Sequence, residues 1–413
     1  MQKLSNYIET HFAPIFAKLG SNPYVNGVKN GMIATSPFTI IGSIFIIIQQ
    51  FPVKAWTEFM APYASMFNVP NMMTIGIIAL YVVFGVGYNL GKSLDLEPLS
   101  IGLLSLMAFM ILQIDRTDFT MSSAYFGSKG IFPALVVSIF VAKTVLVFEK
   151  HGLIIKFPPG VPDAVSKAFA SLYPAMFVAF VMFTISVLLK IDIQEIIITM
   201  FSPLVFALNT LPGILIFQLM IHLLWSAGIH GASIMNTVGR PIFLSYLAAN
   251  TEAALAGNSI PYITAQGFTQ MFISIGGAGA TLGLILVMLR SKDEGFRQLA
   301  KLSLPAGIFN INEPIIFGFP IVMNPTMMIP FILTITVNTI LSYGMMYFNI
   351  IGRPIIDVPW IMPAPIAAYL MTGGDVLAAV WSVAIIALSA AIYYPFLRIA
   401  EKERKAEINQ RVE

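Results

Sequence analysis

The chain is a succession of apolar blocks, each roughly 18 to 25 residues long, the length a helix needs to cross a hydrocarbon core of ~30 Å. Blocks of this kind predict spans near 30–50, 71–91, 97–114, 131–148 and 171–190, then two shorter ones near 193–209 and 211–229. Three more follow near 267–290, 326–348 and 376–398. The alternating ten-residue segments of a transmembrane barrel are absent. The pattern predicts an all-α integral membrane protein with about ten transmembrane helices. Ahead of the first block, Leu4, Ile8, Phe12, Ile15, Phe16 and Leu19 recur at helical spacing, with Lys3, Glu9 and Lys18 between them. That spacing predicts an N-terminal amphipathic helix lying in the interface, and no apolar core of a cleaved signal peptide follows the basic start.

Two stretches fit neither a span nor an ordinary loop. Residues 230–266, "HGASIMNTVGRPIFLSYLAANTEAALAGNSIPYITAQ", and 302–325, "LSLPAGIFNINEPIIFGFPIVMNP", are apolar yet interrupted by Gly, Pro and Asn. Irregular backbone survives at membrane depth only where protein or a water-filled cavity covers it. Paired broken helices of this kind build the substrate sites of transporters. Two re-entrant hairpins are therefore expected, the other reading being long loops lying on the membrane surface. The chain divides near residue 192 into a scaffold half, 1–192, with about five spans, and a substrate-binding transport half, 193–400. Residues 401–413 follow as a tail.

Composition sharpens the class. Apolar residues make up 57% and charged residues 10%, with a mean hydropathy of +0.82, whereas soluble domains carry about 25% charged residues. The net charge of +3 says little about partners, because an excess of Lys and Arg on inner loops gives such values to membrane proteins. With both termini inside, sixteen Lys and Arg fall on inner segments and four on outer ones, Lys54, Arg116, Lys129 and Lys190. Lys143, Arg240 and Arg353 stay unassigned. This bias predicts cytoplasmic termini. Cysteine is absent, which rules out disulfides, thiolate metal sites and a cysteine nucleophile in this chain.

Polar groups inside such a chain are candidates for function. In "LLWSAGIHGAS", Trp225 precedes His230, which Gly228 and Gly231 flank, while His222 sits mid-span in the same block. For His222, a helix-packing role and a functional one are equally open. Glu313 lies in "GIFNINEPIIFGFP", where Pro314 disfavours the α region for its predecessor and suits the start of a second half-helix. Glu313 is thus expected to stand extended, buried in the apolar tip. Asn310 and Asn312 are expected to cap backbone there or to reach a ligand. Glu252, in "LAANTEAALAG", is a candidate hydrogen-bonding group, the alternative being an exposed face of the hairpin. Trp225 and Trp360, the latter in "DVPWIMPAPIAAY", offer the aromatic faces a sugar pocket needs, although Trp is also enriched at membrane interfaces. There is no GxxxxGK[ST] phosphate loop, no HExxH or clustered metal ligands, and no basic stripe for nucleic acid. No cofactor is expected.

"GIFNINEPIIFGFPIVMNP" together with "WSAGIHGAS" resembles the membrane-embedded IIC component of bacterial sugar phosphotransferase systems, in the lactose/cellobiose/diacetylchitobiose family. The similarity extends over essentially the whole chain, including "SPFTIIGSIFIII". It implies a permease subunit of a phosphoenolpyruvate-dependent phosphotransferase in the bacterial cytoplasmic membrane. It further implies uptake of a β-linked disaccharide such as cellobiose or chitobiose by group translocation. A partner IIB protein, charged by IIA upstream, would phosphorylate the sugar's 6-hydroxyl from a phosphocysteine. Since this chain has no cysteine, that donor must be another polypeptide, and the ending "EKERKAEINQRVE" favours the split type over the fused lactose type. The family's glutamate and histidine carry over to Glu313, as acceptor of the 6-hydroxyl proton, and to His230, as holder of the sugar. The family's pocket tryptophans carry over to Trp225 and Trp360, and a homodimer through the N-terminal half is implied. A proton-coupled sugar symporter using Glu313 and His230 as a relay is the rival reading.

Overall fold

The computed structural model describes residues 21–49, 54–115, 117–155, 157–158, 169–226, 228–319, 321 and 324–412. The amphipathic helix expected before the first span lies outside these residues. Among them the protein is helical, with no β-structure beyond one isolated bridge between Ile114 and Met121.

The first half comprises α1 (Pro23–Ala34), α2 (Ser36–Gln49), α3 (Lys54–Met60), α4 (Ala64–Met72), α5 (Ile78–Ser93), α6 (Pro98–Ile111), α7 (Ile131–Lys150) and α8 (Leu172–Phe183). α1 starts where Asn22 Oδ1 accepts from the N–H groups of Tyr24 and Val25, with Pro23 at the first helical position. α5 is the centre of this half: Val82, Val83, Val86 and Leu90 are completely buried, and α5 packs on α1, α6 and α7. Close approach depends on two Gly-x-x-x-Gly pairs, Gly27/Gly31 and Gly87/Gly91. A Cβ at Gly31 would stand 2.4 Å from the Val86 Cα, and one at Gly91 would stand 2.7 Å from the Pro98 Cα. Outward-facing side chains such as Met176, Phe180 and Phe206 are exposed, as lipid-facing residues are.

After α8 the chain turns through 92° into α9 (Ile193–Leu208). The second half follows as α10 (Leu211–Ser226), α11 (Gly231–Leu255), α12 (Phe268–Phe272), α13 (Thr281–Met288), α14 (Glu294–Ile308), α15 (Glu313–Gly318), α16 (Pro325–Tyr347), α17 (Ala364–Met371) and α18 (Val376–Val412). Each predicted span overlaps helix among the described residues. Among the described residues five helices are long and apolar enough to cross a membrane, or six when the bent pair counts as one. Pro98–Ile111, Leu211–Ser226 and Ala278–Met288 are shorter apolar helices.

Three expectations change. The region 230–266 is one 25-residue helix, α11, followed by a non-helical return, and Pro241 lies inside the helix. Its glycines serve packing: a Cβ at Gly239 would meet the Phe217 ring at 2.4 Å. The span expected at 267–290 is broken between α12 and α13. The residues expected as a separate tail continue α18, which runs 37 residues.

Irregular backbone in this half is pinned by asparagines. Asn209 Oδ1 accepts from Ile263 N at 2.9 Å and Thr264 N at 3.2 Å. Asn250 donates to the carbonyls of Tyr262 and Pro354, both at 2.8 Å, and accepts from Tyr262 N at 2.9 Å. Asn338 Nδ2 donates to Ile273 O at 2.9 Å. Each bond satisfies a peptide group that no helix ladder serves.

Candidate functional site

The floor of the site is the break between α12 and α13, in "SIGGAGAT". Gly276, Gly277, Gly279 and Ala280 all have positive φ, at 81°, 96°, 79° and 53°, a conformation that glycine reaches without the steric cost other residues bear. Thr281 Oγ1 donates to Gly276 O at 2.7 Å. Gly279 is held from both sides: its N–H donates to His222 Nε2 at 3.0 Å, and its carbonyl accepts from the Tyr393 hydroxyl at 2.7 Å.

The hairpin bearing Glu313 lies against this floor. α14 ends at Ile308, the chain reverses through Asn310 with φ 61°, and α15 begins at Glu313. Asn310 Oδ1 accepts from Gly276 N at 2.9 Å, while Nδ2 donates to Trp360 O at 2.8 Å and Met362 O at 3.0 Å. Asn312 Nδ2 donates to Ala278 O at 2.8 Å. The two asparagines therefore fasten the hairpin to neighbouring segments, and Asn312 does not cap α15 with its side chain. The paired breaks of this fold are 273–280 and 309–312, joined by these bonds.

Glu313 differs from expectation in two ways. It opens the helix instead of standing extended before it, because Asn312 takes the non-helical position and its carbonyl accepts from Ile315 N and Ile316 N. Its carboxylate is exposed, whereas Ile315 and Ile316 take the buried side of the short helix. The acid is an exposed residue in the lining of a cleft.

Trp225 and His230 form the opposite wall. His230 caps α11, its Nδ1 accepting from Ser233 N at 3.1 Å. The imidazole lies against the Trp225 ring with centroids 4.4 Å apart. Trp225 is buried, and its indole N–H has no protein acceptor. A third wall is the irregular segment carrying Asp357 and Trp360, the latter 56% exposed. Asp357 Oδ2 accepts from Thr39 Oγ1 at 2.6 Å, Asp357 N donates to Ser43 Oγ at 2.9 Å, and Arg240 Nη2 donates to Ser36 Oγ at 2.6 Å. Ser36, Thr39 and Ser43 share one face of α2, so first-half hydroxyls hold two charged groups of the second half.

Trp225, His230, Asn310, Asn312, Glu313 and Trp360 thus line one cleft of about 370 Å³. It continues into an inner chamber of about 140 Å³ lined by Gln218, Asn236, Gln266, Thr269 and Gln270. Pockets for small ligands run from ~300 to 1,000 Å³, with aromatic walls and a few placed polar groups. Aromatic faces with neutral amides, two carboxylates (Glu313 and Asp357) and the Arg240 guanidinium offer donors and acceptors suited to a hydroxyl-rich ligand.

Two of the residues singled out in the sequence are tied up in contacts within the protein. Glu252 lies outside the cleft; its carboxylate accepts from Ser128 N at 3.0 Å and Ser128 Oγ at 2.9 Å, joining α11 to the turn before α7. His222 is fully buried with both nitrogens engaged, Nδ1 donating to Gln218 O at 2.7 Å and Nε2 accepting from Gly279. Arg240, Asp357 and the chamber amides are what sequence reasoning missed. The signal for the charged pair was present, in "GRPIF" and "DVPW", since a charge inside an apolar stretch is itself a functional marker.

The model of the phosphotransferase system EIIC family matches residues 29–334. The chain is 35% identical to the lichenan permease IIC component of Bacillus subtilis (strain 168), over 99% of this chain and 96% of that protein. It is 33% identical to the cellobiose-specific EIIC component of Geobacillus stearothermophilus, over 98% and 96%. With the lactose-specific EIICB component of Lacticaseibacillus casei it shares 28% identity over 98% of this chain and 73% of that longer protein. The crystal structure of ChbC, the IIC component of the N,N'-diacetylchitobiose-specific phosphotransferase system, superposes with a TM-score of 0.91 at 34% identity, covering 98% of this chain and 99% of that one. The chain therefore belongs to the EIIC family, the membrane-embedded sugar permeases of the phosphotransferase system.

Proposed function

We propose that this permease takes up a β-linked disaccharide by group translocation and presents its 6-hydroxyl to a phosphorylated IIB protein on a separate chain. The observation that carries the reading is the convergence of Trp225, His230, Asn310, Asn312, Glu313 and Trp360, from three separate stretches, on one cleft. Relatives named for cellobiose, N,N'-diacetylchitobiose and oligo-β-mannosides support the β-linked class.

In this reading the sugar's 6-hydroxyl oxygen attacks phosphorus, the bond from phosphorus to the donor's cysteine sulfur breaks, and the hydroxyl proton passes to the Glu313 carboxylate. Such a transfer asks the acceptor side mainly for position and a proton acceptor. The exposure of Glu313 supports this role, since the donor must reach the same point. Trp225 and Trp360 stack on sugar C–H faces, His230 and Arg240 engage hydroxyls, and the remainder of the glycan extends toward Gln218 and Gln270. IIA recharges IIB upstream. The assembly is a homodimer through the N-terminal half, in the bacterial inner membrane with both termini cytoplasmic.

Sealed vesicles containing the purified permease, with phosphorylated IIB enclosed and radiolabelled cellobiose or chitobiose outside, test the proposal. Phosphosugar accumulating inside is the expected result. Free sugar accumulating in response to a pH gradient, without phosphosugar, would overturn it.

A further inference from the structure

His222 lies on the wall of the inner chamber beside Gln218, and the transfer chemistry above does not use it. Its ring is fully buried and lies 5.0 Å, centroid to centroid, from Phe331. Nδ1 donates to Gln218 O within its own helix, which fixes the tautomer and leaves Nε2 as an acceptor. That acceptor receives the N–H of Gly279, the residue at the bend of the cleft floor. The adjoining residue, Ala278, lends its carbonyl to Asn312 Nδ2, and Asn312 directly precedes Glu313.

We infer that His222 is a positioning residue for phosphoryl transfer, setting the location of the Glu313 carboxylate through Gly279, Ala278 and Asn312. The inference rests on the group-translocation reading above. Several observations make the path stiff. A Cβ at Gly277 would stand 2.4 Å from the Asn312 side chain, and one at Gly279 would stand 2.1 Å from the Phe331 ring. The Tyr393 hydroxyl grips the same peptide from the other side, at Gly279 O. The loop is thus held between α10, α18 and the hairpin, and a lost acceptor at position 222 leaves a buried N–H without a partner. The loop then shifts to find one, and Asn312 moves with it.

Rate depends on alignment far more steeply than binding does. A displacement of about 1 Å at the acceptor site can cost about a hundredfold in turnover. Replacement of His222 by leucine should therefore lower the rate of phosphosugar formation at saturating sugar by about ten- to a hundredfold, while the sugar dissociation constant stays near wild type. Gln can present an amide oxygen to Gly279 N–H, so H222Q should recover most of the lost rate. Y393F, which removes the bond to Gly279 O, should show a smaller loss with the same split between turnover and binding.

The experiment measures phosphosugar formation from cellobiose and phosphorylated IIB in proteoliposomes, alongside equilibrium binding of the same sugar, for the wild type and all three variants. A wild type that forms no phosphosugar defeats the group-translocation reading, and the inference falls with it. A wild type that works, with H222L equally fast, overturns only the inference. Weakened binding at unchanged turnover, or H222Q no better than H222L, overturns it as well. If H222L does not fold, Y393F decides: an unchanged rate overturns the role of the loop.

Discussion

The two halves of this permease solve the same problem in opposite ways. Around α5, glycines let helix backbones meet almost directly, and helix ladders satisfy most of the peptide groups. Around the cleft, the backbone leaves the helix at 256–267, 273–280 and 309–312, and side chains take over the ladder's work. Asn209, Asn250, Asn310 and Asn338 each serve peptide groups of distant segments. Close packing makes a rigid block but leaves no room for a ligand. Pinned irregular backbone makes room, at the cost of depending on single side chains.

That contrast can be broken at chosen points. The largest effect is expected at the chemistry itself: Glu313→Gln should lower phosphosugar formation by about 10²–10⁴-fold, while equilibrium dialysis still detects sugar binding. Unchanged phosphorylation would remove Glu313 from the reaction. Next, Asn310→Ala should cost about 2 kcal/mol of stability, because it strips partners from Gly276 N and two carbonyls. Turnover should fall with it, read by thermal unfolding in detergent and the vesicle assay. In the packed half, Gly31→Ala forces a Cβ against the Val86 backbone, and should destabilise by about 1–3 kcal/mol. The activity of the molecules that remain folded should be near normal, which separates the two halves functionally. The smallest effect belongs to Glu252→Gln, which keeps an acceptor for Ser128 and should leave uptake nearly unchanged with a slight fall in the unfolding midpoint. A large loss of sugar affinity in that variant would return Glu252 to the site.

Local chemistry made part of this legible in the sequence. Apolar block length is written residue by residue, so helix lies in each predicted block, although the one at 267–290 is broken in the middle. The stretches "WSAGIHG" and "NINEP" held the main site residues, because each combines costly polar groups with residues that bend the chain. What escaped depends on distance in sequence. Asp357 meets Thr39, and Arg240 meets Ser36, across more than 200 positions, and no local pattern encodes such pairs. Residues 230–266 were misread because Gly239 and Pro241 signal a break, whereas packing against Phe217 accommodates them in a continuous helix. The break at "SIGGAGA" was overlooked for the converse reason. Its small residues count as apolar in a hydropathy window, while their backbone conformation leaves the helix.

The cap that His230 places on α11 has a consequence for the direction in which protons can travel. A ring nitrogen that accepts from Ser233 N–H carries no hydrogen, so in the neutral imidazole the hydrogen sits on Nε2. Toward a ligand the ring is then a donor only. It can offer a hydrogen to a sugar oxygen, but it has no vacant lone pair on that side with which to receive one. Taking up a second proton would require Nδ1 to release the helix it caps. In the proposed transfer, the start of a helix thus keeps His230 a donor toward the sugar and leaves acceptance of the proton to Glu313.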